Sequence, residues 1–257
     1  EAVLNNDVIG GIICGQTSSA PSCPDQDLVD STQVRLFSNG GYNSKHKCLT
    51  RFIKLEYQDE LYNTVDVPML VTLMSAEDRT GRGGDHIPFR QKNIPSIRFT
   101  SANEHGNANV GPNYHDRQHT SDDILGVDTN NDNVLDSFYV DFTYLARNAV
   151  INGCAATALA HGPEQPEYTV TPVNGKLEVT VTDPYNYGNY KLGIRTNSWD
   201  FELGYNINIP NAVATETNLK TTNFFHFSVH QIKPGQRVLL SHKNLWNSIN
   251  VSINSIN

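Results

Sequence analysis

Gly81-Arg82-Gly83-Gly84-Asp85-His86-Ile87-Pro88-Phe89 is followed, about thirty residues later, by Gln118-His119-Thr120-Ser121-Asp122-Asp123. Between them the apolar run Ile94-Pro95-Ser96-Ile97-Arg98-Phe99 has strand length and reads as a buried strand. Two histidine-bearing, carboxylate-rich loops flanking a buried strand are what an α/β fold uses to gather chemistry at one sheet edge. The expected fold class is therefore α/β, with its active face on these loops. Gly83 and Gly84 permit the sharp turn that carries Asp85 and His86 inward.

Outward from this stretch, Gln33 to Ser38 alternates polar and apolar before Asn39-Gly40-Gly41, which predicts a half-buried strand and a turn. Ser44 caps a predicted helix running to about Tyr57, with Cys48, Leu49, Phe52, Ile53 and Leu55 on one side. Pro68 to Met74 is a continuous apolar run, a strand covered on both faces. Strand, helix and strand in succession imply a crossover connection and a largely parallel sheet. The pattern from Asp136 to Ala160 is helical, capped by Asp136 or Ser137, with Val140, Tyr144, Leu145, Ala149 and Ala156 facing the core. His161-Gly162-Pro163 stops that helix and marks a domain boundary. Beyond it come alternating runs, among them Lys176–Val181, Tyr190–Arg195 and Phe224–Val229, separated by Asn174-Gly175, Asp183-Pro184 and Pro234-Gly235. They predict an all-β sandwich of immunoglobulin or fibronectin type, so the domains expected are residues 1–162 and 163–257. Tyr185, Tyr187 and Trp199 are aromatics suited to a polysaccharide, although packing is their commoner use.

Three segments in order resemble the M28 family of zinc peptidases and its glutaminyl-cyclase relatives, best the secreted bacterial members with a C-terminal β-domain. Ala2-Val3-Leu4-Asn5-Asn6-Asp7-Val8-Ile9-Gly10 is similar to the family's strand ending in a metal-ligand aspartate; Gly84-Asp85-His86-Ile87-Pro88-Phe89 and His119-Thr120-Ser121-Asp122-Asp123 are similar to its two later motifs. The resemblance covers roughly residues 1–160 and implies part of a three-layer zinc-aminopeptidase sandwich. It implies two zinc ions, with Asp7 a ligand of one and His119 of the other, His115 being the fallback. It also implies a place beside the metals for Asp85, orienting an imidazole or holding a proton, and a peptide substrate. His86, in an apolar setting, more readily satisfies a buried carbonyl. The family's upstream His-x-Asp and Glu-Glu pairs do not occur here. The resemblance therefore implies the C-terminal portion of the peptidase domain, a complementary N-terminal half as partner, and no activity for this chain alone. Two other readings stay open: a non-catalytic binding or structural module on the same fold, and a glutaminyl-cyclase-like acyltransferase.

The 257 residues carry a formal charge of −8 without a Lys/Arg cluster, which excludes a nucleic-acid footprint, and no apolar run is long enough to span a bilayer. Cys14 and Cys23 bracket a polar loop and read as a disulfide, against the alternative of four free thiols. A disulfide fits a secreted, periplasmic or cell-surface location. Cys48 and Cys154 lie on predicted helices and either pair or pack. Asp128, Asn130, Asp132 and Asp136 occupy first, third, fifth and ninth positions of a calcium-type loop, but Tyr139 stands where a bidentate Glu is wanted. A solvated Asp/Asn turn is the competing reading. No nucleophile elbow, Walker loop, His-Glu-x-x-His or dinucleotide fingerprint occurs.

Overall fold

Four short strands form the sheet that positions the candidate site: β1 (Val3–Asn6), β2 (Gln33–Ser38), β3 (Leu70–Leu73) and β4 (Ser96–Ser101), in spatial order β1-β4-β2-β3. The computed structural model describes residues 1–12, 29–79, 83–102, 121, 124–161, 167–173, 176–182, 189–196, 199–200, 203–208, 213–216, 225–232 and 249–251. The sheet is mixed. β2 and β3 are parallel, with Val34 opposite Val71, and β1 and β4 are parallel, with Leu4 opposite Ile97. β2 and β4 are antiparallel, with Leu36 opposite Phe99, so two of the three pairings are parallel as expected and the central one is not. Between β2 and β3 the chain makes α1 (Lys45–Glu56), a crossover of the length parallel pairing needs, and α2 (His86–Gln91) lies ahead of β4.

All six residues of β2 and all six of β4 are buried. β2 is therefore not half-buried as its alternation suggests. Its polar members find partners inside: the Arg35 Nε–H donates to the Ser101 carbonyl at 2.8 Å, and the Thr72 hydroxyl donates to Gln33 Oε1 at 2.5 Å. Such bonds are what make buried polar side chains tolerable.

Residues group into two compact units, Glu1–Gly40 with Leu61–Gly153, and Gly41–Glu60 with Cys154–Asn257. In the first, the core is Val34, Leu36, Phe37, Val71, Ile97 and Phe99, joined by Tyr144 and Ile151. A hairpin of β5 (Gly126–Val127) and β6 (Ser137–Phe138) takes the residues expected to start the long helix. A Cβ on Gly126 would sit 2.3 Å from the Ser137 carbonyl oxygen, so the close approach requires glycine. Helix α3 (Phe142–His161) starts later, where Asp141 Oδ1 accepts the Tyr144 N–H at 2.7 Å. Its buried stripe is Tyr144, Asn148, Ile151, Ala155 and Ala158, while Ala149 and Ala156 are exposed.

In the second unit Ser44 caps α1 as predicted, its hydroxyl oxygen accepting the Lys47 N–H at 3.1 Å, and a wider helical turn, Tyr57–Leu61, prolongs the helix. Trp199 packs its ring 4.3 Å from that of Tyr42 and under Lys47 Nζ at 4.9 Å, while its carbonyl accepts from Arg51 at 3.2 Å. Strands β7 (Glu167–Val173) and β8 (Lys176–Thr182) lie in one sheet with β11 (Val213–Glu216), ordered β11-β8-β7. Strands β9 (Asn189–Thr196), β10 (Leu203–Asn208), β12 (Phe225–Ile232) and β13 (Ile249–Val251) form the other, ordered β10-β9-β12-β13. Every pairing in both is antiparallel. Cys48 and Cys154 are free thiols, whereas Cys14, Cys23, Tyr185 and Tyr187 lie outside the described residues. Among the described residues no helix is long and apolar enough to cross a membrane.

Candidate functional site

Asp7 stands immediately after β1, where the chain leaves the sheet. Its N–H still donates to the Phe99 carbonyl at 3.2 Å, but Val8 has φ of 57°, a left-handed conformation that a β-branched residue adopts only under strain. The turn is held at four successive carbonyls. That of Asp7 accepts from Arg98 Nη2 at 3.4 Å and, more weakly, from the Thr100 hydroxyl at 3.5 Å. That of Val8 accepts the Ser101 N–H at 2.9 Å, that of Ile9 the Asn148 side-chain amide at 3.1 Å, and that of Gly10 the Asp141 N–H at 3.0 Å. A strained φ persists when its surroundings over-determine it, as these bonds from β4 and α3 do.

The Asp7 side chain is 35% exposed, yet it rests on a guanidinium that is fully buried: Arg98 Nη2 lies 3.1 Å from Asp7 Oδ1. Nη1 of the same arginine meets Asp78 Oδ1 and Oδ2 at 2.9 and 3.1 Å and the Gly83 carbonyl at 3.1 Å. Asp78 is anchored in turn by the N–H of Arg79 at 2.7 Å and its Nε–H at 3.2 Å. Two arginines thus face two aspartates, so the charges balance where Arg98, Arg79 and Asp78 are buried and Asp7 is part-exposed.

His86 is wholly buried at the start of α2. Its Nε2 is 3.0 Å from the Glu77 carbonyl, an acceptor, so that nitrogen carries the proton. This is the carbonyl-satisfying role expected for it. Asp78 Oδ2 is 4.0 Å from the same nitrogen. Burial, the largest influence, pushes the imidazole pKa below its ordinary value; the Glu77 carbonyl and the Asp78 charge oppose that, and Arg98 adds to it. A Cβ on Gly84 would fall 3.0 Å from His86 Nδ1 and 3.2 Å from Asp78 Oδ2, so glycine is needed for this packing. Asp85, the neighbouring candidate, is exposed ahead of α2 and makes no capping hydrogen bond with its side chain.

The structure therefore describes Asp7, Asp85 and His86; His119 and His115 lie outside the described residues. Among the described residues no three His, Cys, Asp or Glu side chains gather as a metal set. Asp7 on its own fits zinc in kind: a hard carboxylate donor at a strand end, one oxygen committed to Arg98 and no hydrogen bond to Oδ2 among the described residues. In the acidic loop, Asp128 Oδ1 accepts the N–H groups of Asn130, Asn131 and Asp132 at 3.2, 2.7 and 3.3 Å, and Oδ2 that of Asn133 at 2.7 Å. Desolvation alone would raise the Asp128 pKa, but these backbone donors outweigh it and the pKa is lowered. Asp132 accepts the Val134 N–H, and Asp136 accepts from the Thr129 N–H and hydroxyl. Sequence reasoning singles out neither Arg98 nor Asp78. A lone arginine inside an apolar, strand-length run is the signal for the first, because a buried charge demands a partner; Asp78, in the run Glu77-Asp78-Arg79, reads as solvated surface.

No protein-family model matches the chain. A protein of Pyricularia oryzae named "Probable zinc metalloprotease" is 30% identical over 177 residues, 64% of this chain and 32% of that protein. Proteins of the same description from Leptosphaeria maculans and Pyrenophora tritici-repentis are 27% and 25% identical over 193 and 211 residues, 71% and 79% of this chain and 39% and 41% of theirs. The chain thus spans between a third and two fifths of the length of the curated relatives it matches. All three are fungal, and the similarity they carry is to zinc metalloproteases as a group.

Proposed function

We propose that the protein bearing this chain is a zinc-dependent exopeptidase of the M28, aminopeptidase-like kind, acting on peptides outside the cytoplasm. The observation that carries this reading is the presentation of Asp7: a half-exposed carboxylate on a strained turn, fixed at four carbonyls, in a chain similar to proteins named as zinc metalloproteases. Asp7 and His119, or His115 in its place, would hold the metal. When bound, zinc supplies a water of lowered pKa and polarises the scissile carbonyl. Asp85 is exposed beside the Gly83-Gly84 turn and is free to take a proton or orient a neighbour. The acidic loop at Asp128 is kept as a secondary calcium candidate. The isolated 257 residues offer the resembled site only Asp7 and His119, short of the three protein ligands a hydrolytic ion needs, so we hold the chain alone to be inactive.

The test is made on the full-length protein. Zinc content by mass spectrometry and hydrolysis of amino-acid anilides are measured for the wild type and for Asp7→Asn. Bound zinc is expected, with hydrolysis lost to a chelator and restored by zinc. Asp7→Asn should lower hydrolysis by more than ~100-fold, beyond what loss of a ligand's outer partner costs. A wild type that neither binds zinc nor cleaves an anilide refutes the reading, and cyclisation of N-terminal glutamine peptides in place of cleavage refutes its peptidase half.

A further inference from the structure

We propose that Arg98 is the positioning residue for Asp7, aiming its carboxylate so that Oδ2 is the oxygen offered to a metal ion. The inference rests on the reading of Asp7 as a zinc ligand and concerns how that ligand is held.

Arg98 is fully buried in the middle of β4, on the strand that pairs with β1. Its planar fork divides between two carboxylates: Nη1 takes both oxygens of Asp78, and Nη2 takes Asp7 Oδ1 at 3.1 Å and the Asp7 carbonyl at 3.4 Å. One nitrogen thus grips both the backbone and the side chain of Asp7, which fixes the residue in position and in rotation. The fork cannot drift, because Asp78 is 5% exposed and is itself tied to Arg79 through the Arg79 N–H and Nε–H. The order of support runs from Arg79 to Asp78, to Arg98, to Asp7. With Oδ1 held against the guanidinium, Oδ2 is the less encumbered oxygen, so a metal ion would meet Asp7 through it from a defined direction. Lysine cannot substitute, since an ammonium is a point donor and does not span two carboxylates in a rigid plane.

The experiment uses the full-length protein and reads zinc affinity by competition with a chromophoric chelator, together with the visible absorption of the cobalt(II)-substituted form. Arg98→Lys retains the buried charge. The pair Arg98→Met with Asp78→Asn removes one positive and one negative charge together, so that the remaining Arg79 and Asp7 still balance. Either variant, folded by circular dichroism, should bind zinc about 10- to 100-fold more weakly and shift the cobalt spectrum, as loss of a ligand's outer partner does. If the double variant does not fold, Arg98→Lys decides alone. Wild-type affinity and an unchanged cobalt spectrum in a folded variant overturn the proposal and leave Arg98 a packing residue. Asp7→Asn is the control: if it too binds zinc like the wild type, the metal role of Asp7 itself has failed, an outcome distinct from failure of Arg98.

Discussion

His86 shows how one buried side chain makes stability depend on pH. Its Nε2–H donates to the Glu77 carbonyl, and no water reaches the ring, so a second proton would charge a desolvated group beside Arg98. The folded-state pKa is therefore below 6.5, the value that holds in the unfolded chain. Between the two values the unfolded state binds the extra proton and the folded state does not, so stability falls as pH falls. The contribution of the neutral ring is complete above pH 6.5 and is lost as pH drops from there through the folded value. Urea denaturation of wild type and His86→Gln across pH 5 to 8 checks this; glutamine can still donate to Glu77 and does not titrate. The wild type should lose up to about 1.4 kcal/mol per pH unit relative to the variant below that point. Parallel stability curves would show that His86 is not the titrating group. At this scale the sequence is legible where residue type dictates role: His86 in an apolar stretch does satisfy a carbonyl. It is illegible at Val8, because nothing in Asn6-Asp7-Val8-Ile9 announces a positive φ; that conformation comes from bonds made by β4 and α3, distant in sequence.

Helix α3 is the element that holds the turn in place. Tyr144 is fully buried, its hydroxyl donating to the Gln33 carbonyl at 2.5 Å and accepting the Ala102 N–H at 3.2 Å, so it ties α3 to the start of β2 and the end of β4 at once. One turn on, Asn148 holds the Ile9 carbonyl, and Asn152 donates to Asn6 Oδ1 at 3.0 Å. Tyr144→Phe keeps the ring and strips two buried backbone groups of their partner, which should cost about 1–3 kcal/mol. The measurement is the urea midpoint, expected to fall with an unchanged slope; an unchanged midpoint would mean that water replaces the hydroxyl. Why the sequence misplaces this helix follows from the same residues. Ala149, Ala155, Ala156 and Ala158 leave the helical phase nearly undetermined, since small apolar side chains recur on every face. The phase is set by Tyr144 and Asn148, and a polar Asn in the buried stripe is invisible to a hydrophobic pattern. The start is misplaced because Asp136 and Asp141 are equally good caps by type, and the hairpin closing on Gly126 claims the first. Ser44 and α1 were legible because cap and periodicity agree there.

For the whole molecule, the four cysteines report on both the fold and the compartment. Long-range grouping leaves the weakest trace in sequence: α1 shares a unit with the segment at Trp199, nearly 150 residues on, through Lys47, Arg51 and Lys54. No local pattern encodes that association. Cys48 is buried with the Arg51 guanidinium donating to its sulfur at 3.0 Å. Cys154 is less enclosed, but burial first, and then the charges of Glu56 and Glu60, push its thiol up to about 11. Since only the thiolate alkylates, about 0.1% of Cys154 is reactive at pH 8, and Cys48 is shielded by packing. With Cys14 and Cys23 paired, as their spacing suggests, iodoacetamide at pH 8 should add no label to the native chain within minutes. In denaturant without reductant it should add two labels, at Cys48 and Cys154, and four after reduction. Intact-mass spectrometry reads all three states. Four labels in unreduced denaturant would remove the disulfide and with it the support for an oxidising compartment. Rapid labelling of the native chain at Cys154 would instead show that the charge and burial around α3 do not hold its thiol protonated. The two failures fall on different residues, so peptide mapping of the labelled chain assigns the error either to the compartment or to the packing.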